Sequence, residues 1–373
     1  MKNFDIIIAG GGLAGLTNAI LLARAGLSVL LIEKKKYPFH RVCGEYISNE
    51  VLPFLQSIGI HPFDLGASRL TQFQLTSPSG SQKIEVPLDL GGFGISRFVL
   101  DEIMYQEACK LGAEFLLGNQ VQSIDFEEDK FLVEAADGQV FESNLVIGAF
   151  GKRSNLDKQL NRNFIHRRSP YIGVKYHIQT DFPKDLIALH NFKDGYCGVS
   201  AIESGKYNFC YLTTRQNLKD HGSIEAMEEA VVFKNPFLKS VKTNADFTFK
   251  KPEVINEISF SPKKAVENHI LMSGDTAGLI TPLCGNGMAI AIHSAKILSE
   301  NIIDFYANKR TRDFLEESYT QQWQQLFSRR LWVGRNMQNL FGNVWLSEIA
   351  IGSLKRSRPL LTKLISFTHG QTF

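Results

Sequence analysis

No stretch of the chain approaches the roughly 20 consecutive apolar residues that a membrane-spanning helix needs. Its greasiest segment, from Trp332 to Ile351, is broken by Arg335, Asn336, Gln338 and Glu348. Cysteine is also scarce: Cys43, Cys109, Cys197, Cys210 and Cys284 are an odd number, widely scattered, with no Cys-x-x-Cys and no close Cys/His pair. A disulfide framework and a zinc site are therefore not expected, nor any other metal. An excess of one charge is missing too. The 41 Lys and Arg against 38 Asp and Glu leave a net +3, so nothing demands nucleic acid as a partner. Ile6 to Ile8 is too short an apolar run for a signal peptide before the glycines begin, and the chain reads as cytoplasmic. Internal repeats, low-complexity segments and linkers are absent. What remains is an ordinary globular composition, 44% apolar and 21% charged over 373 residues. At roughly 150 residues per domain, that length holds two or three folding units.

The first forty residues carry the strongest local signal. Phe4 to Ala9 is a nearly continuous apolar run, as a strand buried on both faces requires, and it ends in Gly10-Gly11-Gly12. From Leu13 the residues Leu16, Ala19, Ile20 and Ala23 recur at helical spacing until Gly26, after which Leu27 to Ile32 reads as a second buried strand. This is a βαβ unit. Gly10-x-Gly12-x-x-Gly15 opens its helix: Gly10 makes the turn, Gly12 lets the backbone approach a pyrophosphate, and Gly15 lets helix and strand pack closely. The helix N-terminus then offers free N–H groups to the phosphates. Glu33 ends the second strand, at about the 20-residue offset of a ribose-binding acid, which favours FAD or NAD over NADP.

A second segment chooses between FAD and NAD. His269 to Ser273 reads as a short strand, followed by Gly274-Asp275-Thr276-Ala277-Gly278, Pro282, and Gly285-Asn286-Gly287 opening a helix with Met288, Ala291, Ile292, Ala295 and Leu298 on one face. This resembles the second FAD motif of the p-hydroxybenzoate-hydroxylase-like flavoproteins, Gly-Asp-x-Ala-Gly-x-x-x-Pro-x-x-Gly-x-Gly, with every fixed position met. Arg97, Leu100 and Asp101 resemble the family's Arg-x-x-Leu-Asp stretch, whose Arg lies beside the cofactor. The alternative for Arg97 is a solvated arginine at a helix start. Ala149-Phe150-Gly151-Lys152-Arg153-Ser154 resembles the family's Asp-Gly fingerprint, but Phe150 stands where the Asp belongs, which weakens the carry-over of its pyridine-nucleotide role.

Tyr37-Pro38-Phe39-His40-Arg41-Val42-Cys43-Gly44-Glu45 is similar to the Pro-x-x-(Lys/Arg)-x-Cys-Gly stretch of the geranylgeranyl-reductase-like branch, which also includes aromatic hydroxylases. Gly195-Tyr196-Cys197-Gly198 resembles that branch's Gly-Tyr-x-(Trp/Gly) motif on the substrate sheet. The halogenase signature Trp-x-Trp-x-Ile-Pro is absent. Cys43 and Tyr196 are the candidate catalytic residues, although a buried free Cys such as Cys43 is more often a packing residue. His40 is an acid or base by type alone.

The resemblance implies an α/β fold: a Rossmann-like FAD-binding domain of the GR2-type flavoproteins, an interleaved antiparallel β-sheet substrate domain, and C-terminal helices. The expected divisions are 1–70, 96–165 and 261–310 for the FAD domain, 71–95 for a substrate-sheet hairpin, 166–260 for the substrate-binding β-sheet, and 311–373 for the helical region. Around non-covalent FAD it would place Gly10, Gly12, Leu13, Ala14, Gly15, Glu33 and Lys34. Arg41, Cys43, Gly44, Arg97, Val121 and Gly151 follow, and then Gly274, Asp275, Pro282, Gly285, Asn286, Gly287 and Met288.

With one dinucleotide fingerprint, NADPH or NADH would bind only transiently as donor. The 27 Phe suggest an apolar or aromatic substrate. The expected chemistry is monooxygenation through a flavin C4a-hydroperoxide on an aromatic or polyketide-like substrate. The alternatives are a reductase of isoprenoid or polyketide double bonds, and a non-catalytic flavin-bound or electron-transfer protein. Arg329-Arg330-Leu331-Trp332 and Lys355-Arg356-Ser357-Arg358-Pro359 set basic residues among aromatics. They would touch a membrane surface or a lipid-carrying partner, or simply solvate the domain's face.

Overall fold

The structure is a computed structural model that describes residues 2–166, 169–256, 258–282, 285–341, 344–356 and 370–373. Cys284 and the Ser357, Arg358 and Pro359 of the basic segment lie outside the described residues. Two sheets organise the chain. The first has a parallel core in the order Glu114–Leu117, Val29–Glu33, Lys2–Ala9, Val140–Gly148, Ile270–Met272. Ile6, Ile7 and Ile8 are fully buried, as in a parallel strand covered on both faces, which leaves no solvent side for alternation. Lys130–Ala135 adds antiparallel to Val140–Gly148 and pairs in turn with Val121–Glu127.

The helix Leu13–Arg24 follows the glycine turn and packs on helices Arg97–Lys110 and Gly287–Ala307. Gly10 has φ +106°, and a Cβ there would stand 2.5 Å from the Ala149 carbonyl oxygen. A Cβ on Gly15 would stand 2.0 Å from the Gly10 carbonyl oxygen, so this glycine sets the close approach of helix and strand. Gly26, at φ +82°, follows the helix C-cap in the left-handed region, as its position predicts.

The second sheet runs in the order Asp246–Phe247, Tyr171–Gln179, Tyr207–Thr214, Gly195–Ala201, Leu186–Phe192, Ser68–Thr76, Lys83–Gly94, Tyr46–Ser48. Glu253–Asn256 pairs with Tyr171–Gln179 as well. The sheet is not wholly antiparallel as expected: Ser68–Thr76 and Leu186–Phe192 run parallel. They belong to separate excursions from the first sheet and return to it through a long crossover, which a parallel pair needs. The Ser68–Thr76/Lys83–Gly94 hairpin turns at Pro78-Ser79-Gly80, and Glu203–Gly205 forms the tight link between Gly195–Ala201 and Tyr207–Thr214.

Two helices, Arg312–Phe341 and Val344–Arg356, close the described chain before residues 370–373. Among the described residues no helix is long and apolar enough to cross a membrane, and no group of three or more His, Cys, Asp or Glu is placed to hold a metal.

Candidate active site

A cavity of about 930 Å³ is lined from both sheets. At one end lie Gly10, Gly12, Leu13 and Ala14 of the glycine turn, with Glu33 and Lys34 beside them. Asp275, Pro282, Gly285, Gly287 and Met288 face the same space, as do Val121 and Gly151. Arg41, Cys43, Gly44 and Arg97 line it from the segment that joins the sheets, and Tyr196 lines it from the second sheet. Three of the expected residues do not line it. Gly15 packs helix to strand; Gly274, at φ +66°, would put a Cβ 2.8 Å from the Ala14 side chain; and Asn286 is buried at the N-cap of helix Gly287–Ala307.

The residues present suit a dinucleotide. Helices Leu13–Arg24 and Gly287–Ala307 both begin at the cavity wall, and neither has a side-chain hydrogen bond capping its N-terminus. Two such ends present unsatisfied N–H groups and partial positive charge to one space, which suits a pyrophosphate and an electron-rich ring. Gly12 leaves room, since a Cβ there would find only Arg97 Nη2, at 3.9 Å.

Glu33 is held in place rather than loose. Its carboxylate accepts from Gly11 N–H at 2.8 Å and Lys35 N–H at 3.1 Å, and pairs with Arg41 Nη2 at 3.2 Å. Arg41 also donates to the Gly11 carbonyl at 2.8 Å and to Asp101 at 3.0 Å, and stacks over Phe39. Arg97 is no solvated arginine. It is buried and grips Asp101 with two bonds of 2.6 and 2.7 Å. Asp101, fully buried, thus ties two guanidiniums side by side at the cavity wall.

A buried charge cluster that sequence reasoning missed adjoins this wall, with Glu45 itself among the lining residues. Glu45, at φ +52°, is fully buried; Lys175 Nζ and the backbone N–H of Arg97 (2.9 Å) donate to its Oε1, and His177 Nε2 meets its Oε2 at 2.7 Å. Burial works to raise the Glu45 carboxyl, but the Lys175 charge and the His177 bond hold it below its ordinary value. Lys175 also donates to the Arg41 carbonyl at 3.1 Å. The signal was in the strand: in Tyr171–Gln179 the residues Ile172, Val174, Tyr176 and Ile178 enter an apolar core, so Lys175 and His177 share the other face. Behind the second glycine motif, Lys263 donates to the carbonyls of Lys152 (3.0 Å) and Asp275 (2.8 Å), and burial pushes its amine down to about 8. Sequence reading offered no pointer to it.

Three histidines are held neutral chiefly by burial. His190, bonded to Thr76, is pushed down to about 3. His293 falls to about 4, and so does His40, which stacks on Phe98 and faces His177, Lys175 and Glu45. Their unfolded value is near 6.5, so between that value and about 4 the unfolded chain binds more protons than the folded one. The stability they contribute is complete above about 6.5 and is lost as pH falls toward 4. The melting temperature is therefore expected to fall steadily from pH 7 to pH 4, and the fall to be shallower in His190→Gln. A flat profile over that window would refute the assignment.

Cys43 and Tyr196 share the cavity but sit on different elements. The Cys43 carbonyl accepts from Asn208 at 3.2 Å, and its thiol is half-buried. Tyr196 is buried in an apolar cluster with Leu75, Leu189, Leu212, Ile258 and Leu279, and its hydroxyl donates to Gln338 at 3.3 Å.

A glycine-turn βαβ unit, two helix ends aimed into one chamber and a second sheet walling that chamber define a flavin-dependent oxidoreductase of the FAD-binding α/β class. Residues 3–329 match the FAD binding domain family, and the chain belongs to it. It is 24% identical over 340 residues, 88% of this chain and 85% of the relative, to digeranylgeranylglycerophospholipid reductase 2 of Methanothermobacter thermautotrophicus. Among solved structures, the flavin-dependent brominase Bmp2 aligns with a TM-score of 0.81 at 16% identity, covering 98% of this chain and 93% of that one. PqsL of Pseudomonas aeruginosa, described as a probable FAD-dependent monooxygenase, aligns with a TM-score of 0.74 at 14% identity, covering 94% and 100%.

Proposed function

We propose that the protein is a monooxygenase that hydroxylates an apolar, ring-bearing small molecule, with NADPH or NADH as a transient electron donor. The observation that carries this reading is the division of the chamber. Its glycine-turn end offers N–H groups and charged side chains, while its other end is walled by Leu75, Leu189, Leu212, Ile258, Leu279 and Leu354 around Tyr196. A wall of that kind binds an apolar body by burial and keeps water from the reacting atoms. FAD, bound at the polar end, supplies the electron and oxygen chemistry. Gly12 and the two helix N-termini hold it, Glu33 and Asp275 orient it, and Arg41 and Arg97, clamped by Asp101, fix the wall beside it. Tyr196, its hydroxyl anchored on Gln338, orients the substrate, and Cys43 lines the same chamber. The fold of PqsL agrees with this reading.

A second reading, reduction of a carbon–carbon double bond, is favoured by the printed activity of the digeranylgeranylglycerophospholipid reductase and by the Pro38 to Gly44 segment. The experiment is anaerobic reduction of the yellow protein by NADPH or NADH, then admission of oxygen with apolar aromatics or prenyl lipids present. Hydroxylation predicts reoxidation accelerated by an aromatic and a product heavier by one oxygen atom. A product heavier by two hydrogen atoms, formed without oxygen, overturns the monooxygenase reading and establishes the second.

A further inference from the structure

Helix Val344–Arg356 has two faces with different work. Ser347, Ile351 and Leu354 are buried at helical spacing; Ile351 and Leu354 enter the apolar cluster around Tyr196, and Leu354 lines the cavity itself. The opposite face carries Trp345, Leu346 and Ile349, which are 76%, 48% and 51% exposed, together with Val344. So large an apolar face on one short helix is more than the single scattered residues every surface shows.

Its charge is equally one-sided. The helix has one carboxylate, Glu348, and this is engaged by the chain, accepting from Ser79 N–H at 2.8 Å and Ser81 Oγ at 3.2 Å at the tip of the Ser68–Thr76/Lys83–Gly94 hairpin. Lys355 and Arg356, both exposed, end the helix. The outer face therefore joins an aromatic, aliphatic side chains and two cations, and the one negative charge among residues 344–356 is held by the hairpin tip. That combination matches the boundary between acyl chains and anionic headgroups, where the indole and aliphatic groups enter the lipid and the cations meet phosphate.

We propose that helix Val344–Arg356 docks the protein on an anionic lipid bilayer, outer face down, so that the element roofing the apolar end of the cavity is the element lying on the membrane. This goes beyond the reaction proposed above and does not depend on it, since hydroxylase and reductase alike would take an apolar substrate through that roof.

The test is co-sedimentation of the full FAD-loaded chain with phosphatidylcholine vesicles, with or without a third of the lipid as phosphatidylglycerol. The protein is expected to sediment with the anionic vesicles. Trp345→Ser/Ile349→Ser is expected to reduce the bound fraction by about tenfold or more. Lys355→Gln/Arg356→Gln should reduce it about fivefold or more, an effect that high salt reproduces in the parent protein. Unchanged flavin absorbance and melting temperature show that both variants are folded. Absence of the parent protein from the anionic pellet overturns the proposal, as does equal sedimentation of the variants. A dimer in solution that Trp345→Ser/Ile349→Ser dissociates overturns it too, by assigning the face to a second copy. None of these outcomes touches the product analysis that tests the reaction.

Discussion

Lys175→Met is expected to destabilise the protein by about 3–5 kcal/mol, because it leaves the Glu45 carboxylate buried with its main counter-charge removed. Both side chains are completely shielded from water. Methionine matches the stem of lysine in length, so the cost is electrostatic rather than a matter of packing. The remaining partners of Glu45, His177 and the Arg97 N–H, satisfy hydrogen bonds without replacing a permanent charge. The double variant Glu45→Gln/Lys175→Met removes both charges and is expected to recover most of the loss, since a buried ion pair exchanged for neutral groups is often close to neutral in cost. The readout is the denaturation midpoint of each single variant, the double and the parent. A double variant no more stable than Lys175→Met would refute the account.

Acid gives the same pair a second test. The Glu45 carboxyl lies below its ordinary value in the fold, so its stabilisation is present above the unfolded value near 4.3 and is lost as pH falls through the folded one. That loss begins where the His40 and His293 titrations end and overlaps that of His190, and it should be absent from Glu45→Gln.

The two glycine motifs were legible because their signals are local. Gly10, Gly12, Gly15, Gly26 and Glu33 fall within one βαβ unit, where Gly10 and Gly15 answer close approaches of neighbouring chain, Gly26 a positive φ, and Gly12 leaves open space at the cavity. The second motif, from Gly274 to Met288, is equally short. The hairpin expected within 71–95 is found at Ser68–Thr76/Lys83–Gly94, since its turn signal is local as well. What escaped depends on pairing between distant segments. Lys175 is 130 positions from Glu45, and no periodicity in either segment says that they meet. The parallel pairing of Ser68–Thr76 with Leu186–Phe192 is of the same kind, because local alternation gives faces but not neighbours. Arg97 shows the intermediate case. Its motif was visible, but whether its charge was solvated or clamped depended on Asp101 and on the burial that Glu45 and the second sheet impose.

Gly12→Ala is expected to separate cofactor binding from folding. Gly12 has φ −82°, which alanine adopts freely. Its added methyl group would meet no protein atom closer than Arg97 Nη2 at 3.9 Å, so the FAD-free protein should melt as the parent does. The methyl group instead occupies the space through which the backbone approaches a pyrophosphate, and FAD affinity should fall by at least about tenfold, or about 1.4 kcal/mol. Gly10→Ala provides the contrast. At φ +106°, with its methyl carbon 2.5 Å from the Ala149 carbonyl oxygen, it strains the backbone and the sheet together, so the FAD-free protein itself should lose stability. Flavin-fluorescence titration of the FAD-free proteins, with circular-dichroism melts of the same samples, reads both quantities. Parent-like FAD affinity in Gly12→Ala would mean that the pyrophosphate does not cross this turn. Gly12 would then serve neither binding nor folding, and the helix end at Gly287 would be left as the main anchor of the cofactor.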